Sequence, residues 1–364
     1  MRFRREGVEE EIAAAARAFL DGVWRIEQMR ANGREFPSTL WQEIGNVGWL
    51  DLLVPEAAGG LGAGAVEAAA IFEEAGRALL PGPLFDNMVA LPLVFAENGR
   101  APANDPVLAT SACFERADPP VDVGGGRASG HLVAESPDAA DILIVRALDE
   151  RRQPCIAIVD CADPAIEMRQ LDSLDLAGRP FHLQLDGAAA KIVAEPPRSV
   201  RLTEELTEWG RVMAAARMLG VLDRLVELSV AFAQGRRQFG RPIAAFQAVQ
   251  HRLADMAALA ITCRSVCYAS QWALAVDAPD RHLHTHTAKA YLSRAVRHVA
   301  EGALQTHGGI GVTEEYDLHL FVKHALRLEG SWGRSEEHED ALAEALFERV
   351  TAAADIAPLS EAQA

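Results

Sequence analysis

Between Glu9 and Met29 the apolar side chains Ile12, Ala16, Phe19, Val23 and Ile26 fall three to four positions apart, the spacing that lines one face of a helix. The segment Trp41 to Leu50 follows. After Val54-Pro55-Glu56 and the glycine loop Gly59-Gly60-Leu61-Gly62, a further helix carries Phe72-Glu73-Glu74-Ala75-Gly76-Arg77. Residues 1–103 therefore read as a helical domain. Beyond residue 104 the pattern changes. Asp141-Ile142-Leu143-Ile144-Val145 and Cys155-Ile156-Ala157-Ile158-Val159 are short, branched and bounded by turns, as strands are. Phe181-His182-Leu183-Gln184-Leu185 alternates strictly, which predicts a strand with one wet face. Residues 104–198 thus form a β domain, a small barrel or sandwich with loops such as Gly124-Gly125-Gly126. Helical periodicity returns over Glu204–Gln234, Phe246–Val276, His286–Thr306 and Glu339–Thr351. Four long helices with short connections make residues 199–364 a bundle, with a loose Ala- and acid-rich tail. The fold class is α+β, mainly α.

Composition narrows the function. The 364 residues are 49% hydrophobic, enough for a large core. A net charge of -17 argues against a nucleic-acid surface and against a basic membrane-binding face. No stretch approaches the roughly 18 apolar residues of a membrane span, and Met1-Arg2-Phe3-Arg4-Arg5-Glu6 lacks a signal-peptide core. The five cysteines show no metal-ligand pairing and suit a reduced cytoplasm. Cys263 and Cys267, four apart on a helix, read as a buried pair.

Two stretches carry the candidate chemistry. Gly235-Arg236-Arg237-Gln238-Phe239-Gly240-Arg241-Pro242-Ile243 ends one long helix and starts the next, with Gln247 just beyond. Its donors suit a phosphate-bearing ligand; arginines beside a helix end also serve simply to offset the dipole. Gln305-Thr306-His307-Gly308-Gly309-Ile310-Gly311 closes another helix, as a ligand-approaching backbone or as a plain C-cap. The Gly59-Gly60-Leu61-Gly62 loop lacks the βαβ context of a dinucleotide site. The alternating histidines of Arg281-His282-Leu283-His284-Thr285-His286 have no carboxylate within the run and read as a solvated turn rather than a metal tract. Glu336-Glu337-His338-Glu339-Asp340 reads as a charged helix start, and Lys289 as a structural or surface residue.

Together, the Arg-x-x-Phe-Gly turn and the Gln-x-x-Gly-Gly segment, in this order, resemble the acyl-CoA dehydrogenase flavoproteins over nearly the whole chain. The resemblance implies that family's fold: an N-terminal helical domain, a middle β domain and a C-terminal four-helix bundle. It also implies FAD as cofactor, an acyl-CoA as substrate, and an acceptor of the electron-transfer flavoprotein type. Arg236, Phe239, Gln247, Gln305, Gly308 and Gly309 would then complete an FAD site held by a neighbouring chain.

The departures matter as much. The resemblance implies a catalytic Glu at one of two positions, occupied here by Trp332 and Gly210, neither of which accepts a proton. Glu329 is the nearest substitute and Glu208 the other, each reading more simply as a surface carboxylate. The flavin-holding segment of the family corresponds to Thr110-Ser111-Ala112-Cys113-Phe114-Glu115-Arg116-Ala117-Asp118, and no tryptophan occurs between Trp49 and Trp209. The chain retains the half-site it lends and lacks the half-site it would use. That asymmetry resembles the heteromeric acyl-CoA dehydrogenases of actinobacteria, α2β2 assemblies of two related chains, several of which handle bulky steroid-CoA thioesters. The implied role is the non-catalytic chain. A self-sufficient homomeric enzyme with a displaced Glu, or a scaffold on a retired enzyme fold, are the alternatives.

Overall fold

The computed structural model describes residues 7–33, 35–96, 108–112, 114 and 121–355. The N-terminal six residues, Cys113, the stretch 115–118, the 103/104 junction and the tail after 355 lie outside the described residues.

Helix α1, Val8–Val23, places Glu9, Glu10 and Glu11 in its first turn, where acids complement the dipole, and buries Ala13, Ala16 and Leu20. The single helix expected to reach Met29 is broken. Trp24 adopts extended backbone, and α2, Ile26–Asn32, restarts after Gln28 Oε1 accepts the Arg25 N–H at 2.7 Å. The break turns both Trp24 and Met29 into the core, which a straight helix on the α1 stripe would not do. Helix α3 spans Ser38–Asn46 and α4 spans Ala65–Arg77; a π-helical turn, Asp86–Ala90, then runs into α5, Leu91–Ala96.

Seven strands follow: β1 Ala109–Ala112, β2 Val121–Gly124, β3 Arg127–Glu135, β4 Ile142–Leu148, β5 Pro154–Asp160, β6 Ile166–Gln170 and β7 Pro180–Ala194. Six of them run in the order β1-β4-β2-β3-β7-β5, and β6 pairs with β7 off this path. Because β5 also pairs with β4, the sheet closes into a small barrel. Inward positions such as Leu143, Val145, Cys155, Ala157, Leu183 and Leu185 fill it, and the predicted alternation at Phe181–Leu185 is present.

The C-terminal region holds α6 Arg198–Gly235, a two-residue-per-strand hairpin (β8 Arg237–Gln238, β9 Arg241–Pro242), α7 Gln247–Ala275, α8 Arg281–His307, α9 Leu318–Gly330 and α10 Ser335–Asp355. Among the described residues this region holds, besides the four long helices expected, the shorter α9. The histidine-bearing tract 281–286 is not a solvated turn but the first turns of α8. His286 Nδ1 lies 2.9 Å from His338 Nδ1 on α10, and Arg211 lies 3.0 Å from its other ring nitrogen. Burial first, and then the Arg211 charge, push His286 down to about 3 and His338 to about 4, so both rings are neutral at physiological pH.

Helices α4 and α6 approach unusually closely. A Cβ on Gly220 would stand 1.8 Å from the Glu73 carbonyl oxygen, and one on Gly76 would stand 2.1 Å from that of Arg217. The two glycines therefore set the helix–helix distance that shapes the space between the N-terminal helices, the barrel and α6. Cys263 and Cys267 are fully buried in the same core, as their spacing predicts. No helix among the described residues is long and apolar enough to cross a membrane.

Candidate functional site

A cavity of about 620 Å³ opens where α6, the barrel strands β1, β3 and β7, the segment before α5, and the α9–α10 connection meet. Gly210 and Trp332 both line it, and they touch. A Cβ on Gly210 would stand 2.3 Å from the Trp332 indole, so the ring lies directly on the glycine backbone. Trp332 is held there in left-handed backbone (φ 57°) and packs edge-on to Phe85 at 4.8 Å. Beneath this connection, Lys289 is fully buried, so the surface reading of that residue is wrong and the structural one right. Its Nζ donates to the Glu329 carbonyl, the Gly333 carbonyl and Ser293 Oγ, each at 2.9 Å. A buried ammonium thus pins the backbone on both sides of Trp332.

Neither substitute carboxylate lies free. Glu329 is not a solvated surface acid: Arg297 grips both of its oxygens at 2.7–3.1 Å, and it does not line the cavity. Glu208 is buried and paired with Arg281 at 2.6 Å. Both carboxylates are committed to arginines on α8.

The cavity's own acids are Asp86 and Glu135, which sequence reasoning missed. Glu135 accepts from Arg327 and from the Arg179 backbone N–H. Asp86, on the π-helical turn, accepts from the Ser111 hydroxyl, and burial pushes it up to about 7. The available signal was an acid standing in the apolar run Leu84-Phe85-Asp86-Asn87-Met88-Val89. A carboxyl raised in the folded state favours folding most below its unfolded value near 4, and that contribution is lost as pH rises to about 7. Asp86→Asn is therefore expected to gain stability over the unaltered chain progressively between those limits, by up to about 4 kcal/mol, and to stay level above. Urea denaturation across pH measures this. A gain that does not vary with pH would contradict it.

The six residues singled out for cofactor contact gather at the far end of the bundle. Phe232, in the last turn of α6, stacks on His307, at the end of α8, with ring centroids 4.3 Å apart. Arg236 and Gly308 therefore follow directly from two helix ends that touch. Arg236, Phe239, Gln247, Gln305, Gly308 and Gly309 are all exposed, Phe239 at 91%. Arg241 stacks its guanidinium on Phe246 at 4.1 Å, which stiffens the turn. Gly308 does cap α8, its N–H bonding the Leu304 carbonyl, so the C-cap reading of this glycine holds as well. Nothing lies within 4 Å of where a Cβ on Gly308 or Gly309 would stand, leaving their backbone open to a ligand. Two arginines, two amides and an open glycine backbone form a donor set that fits a pyrophosphate-bearing cofactor.

Two family models match the chain: acyl-CoA dehydrogenase, N-terminal domain, over residues 7–100, and acyl-CoA dehydrogenase, C-terminal domain, over residues 200–347. Acyl-CoA dehydrogenase IpdE2 of Mycobacterium tuberculosis is 30% identical, over 84% of this chain and 85% of its own length. The chain belongs to the acyl-CoA dehydrogenase family. Its family is one of oxidoreductases acting on acyl-CoA, and its fold is the acyl-CoA dehydrogenase fold, a small β-barrel domain between helical N- and C-terminal domains. The structure of a Tcur3481-Tcur3483 steroid ACAD variant superposes with TM-score 0.83 at 27% identity, over 94% of this chain and 98% of that one. The ChsE4-ChsE5 complex from Mycobacterium tuberculosis gives TM-score 0.82 over 96% and 99%; its 24% identity speaks for the fold alone. For a member of this family, direct packing of Trp332 on Gly210 has a particular meaning. The two positions that the sequence resemblance assigns to the base occupy one another's space.

Proposed function

We propose that this chain is the non-catalytic subunit of a heteromeric, FAD-dependent acyl-CoA dehydrogenase, with a related dehydrogenase chain as partner. The observation that carries the reading is a separation. The α6 residues lining the chain's own cavity, Gly210 to Arg217, precede Arg236 by 19 to 26 positions. At the helical rise this is about 28 to 39 Å along α6. The exposed donor set is therefore remote from the chain's own cavity, and it presents its groups outward, as a surface that completes another subunit's site would.

On this reading Arg236 offers its rigid fork to the pyrophosphate, while Gln247 and Gln305 supply neutral donors and acceptors. Gly308 and Gly309 admit close backbone approach, and Phe239 covers an apolar edge. Bound FAD supplies the hydride acceptor for α,β-dehydrogenation of the acyl-CoA. The proton is removed by the partner's base, since here the indole of Trp332 fills the space over Gly210. The 27% identical structure, described as a Tcur3481-Tcur3483 steroid ACAD variant, supports a pairing of two related chains, for which we propose an α2β2 assembly, and a bulky, steroid-like acyl group. An acceptor of the electron-transfer flavoprotein type would reoxidise such an enzyme.

The committed state of both substitute carboxylates supports the non-catalytic role over a displaced base. In the purified complex, Glu329→Gln and Glu208→Gln in this chain are each expected to change kcat less than twofold. A fall of a hundredfold or more in either variant would assign the base to this chain and overturn the reading.

A further inference from the structure

We propose that the cavity of this chain is a binding site for a free carboxylic acid with an apolar body, its carboxylate held by Arg217. The proposal stands on the chain alone and does not depend on the flavin reading above.

Arg217 lines the cavity from α6, between the glycine contact at Gly76 and the bundle core. Its Nη2 donates to the Leu80 carbonyl, whereas its Nε–H is shut off from solvent and has no acceptor. Among the described residues no carboxylate lies within ion-pair distance of it. The nearby acids are engaged elsewhere: Glu135 with Arg327 and the Arg179 backbone, Asp175 with His324 at 2.8 Å and Arg327 at 3.4 Å. They act on Arg217 only at a distance. Burial accordingly outweighs them and lowers its pKa to about 10. A half-buried guanidinium on a cavity wall with no carboxylate beside it is costly unless a ligand supplies the counter-charge to its accessible face.

The rest of the cavity defines what carries that oxygen. Phe85, Phe114, Met213 and Trp332 give apolar walls, and about 620 Å³ lies within the range of small-molecule sites. The one other acid without an ion pair there, Asp86, has its carboxyl pushed up to about 7 and hydrogen-bonded by Ser111, so just below neutral pH it is largely uncharged. An anion entering at that pH meets one uncommitted cation and no fixed negative charge left unpaired. A bare carboxylate answers Arg217 with two oxygens in the plane of the fork; an ester or alcohol of the same body answers with none that are charged.

The test is isothermal titration calorimetry of the full chain at pH 6.5 with decanoate, and with decanol and methyl decanoate as uncharged probes of matching length. Decanoate is expected to bind at least tenfold more tightly than either. Arg217→Met should remove that preference while leaving decanol affinity within twofold. Met213→Trp, which fills the cavity and leaves Arg217 in place, should weaken all three probes at least tenfold, and keeps the proposal testable should Arg217→Met not fold. Equal affinity for decanoate and decanol, no decanoate binding at millimolar concentration, or decanoate binding unchanged in either variant would each overturn it.

Discussion

Gly210→Ala is expected to destabilise the chain by about 3 kcal/mol, the upper part of the usual cost of overpacking. The added methyl would enter the Trp332 indole at 2.3 Å. The ring cannot simply swing away, because Phe85 packs on it and Lys289 holds the carbonyls of Glu329 and Gly333 on either side. Trp332→Gly removes the obstruction and places at φ 57° the residue type that tolerates it best. The effects should therefore be strongly non-additive. In a Trp332→Gly background, Gly210→Ala should instead gain about 0.5–1 kcal/mol, the preference for alanine over glycine in a helix interior. Urea denaturation of the four proteins in this cycle measures the coupling. A Gly210→Ala cost of the same size in both backgrounds would mean that the indole does not occupy the space above Gly210.

Arg236→Ala in the co-expressed complex should lower retained flavin by between about tenfold and a hundredfold, the worth of roughly 1.5–3 kcal/mol for a hydrogen bond to a charged group. The change should leave this chain's own melting unaltered. The Arg236 side chain is exposed and enters no hydrogen bond or ion pair among the described residues, only its backbone being used, to cap α6 and to bond Ile243. Flavin absorbance per mole of complex, read beside the thermal unfolding of the isolated chain, separates the two effects. Undiminished flavin in Arg236→Ala would remove this residue from the cofactor surface. Loss of flavin together with a lowered melting temperature would mean that the arginine supports the fold instead.

Much of the scaffold is legible along the chain because its signals are local. Gly235 and Gly308 mark the ends of α6 and α8 as helix-stop chemistry predicts, and the alternation at Phe181–Leu185 declares a strand with one wet face. What escaped the reading was decided by tertiary partners. The apolar stripe of α1 runs on past Val23, but the chain breaks because Trp24 and Met29 must both reach the core. Helix α9 was hidden by His319 and His324, polar in type yet buried, the latter bonded to Asp175 on the barrel side. The 281–286 tract looked wet for the same reason; its third histidine is covered by His338 of α10, fifty-two positions on.

The functional positions divide along the same line. Counting from the motifs singled out Trp332 and Gly210 one at a time, but their contact belongs to the fold. Glu208 and Glu329 resembled ordinary surface acids until Arg281 and Arg297, both on α8, were found beside them. Asp86 and Arg217 carry no motif at all. An acid among apolar residues and an arginine in an alanine-rich helix gain meaning only when a shared cavity wall deprives them of water.

The visible absorption spectrum of the purified chain, alone and after co-expression with a related base-bearing dehydrogenase chain from the same genome, tests the partner-subunit account most directly. A colourless chain alone and a yellow complex holding about one flavin per pair of chains is the expected result. A chain that is yellow by itself and bleaches on addition of an acyl-CoA would contradict it.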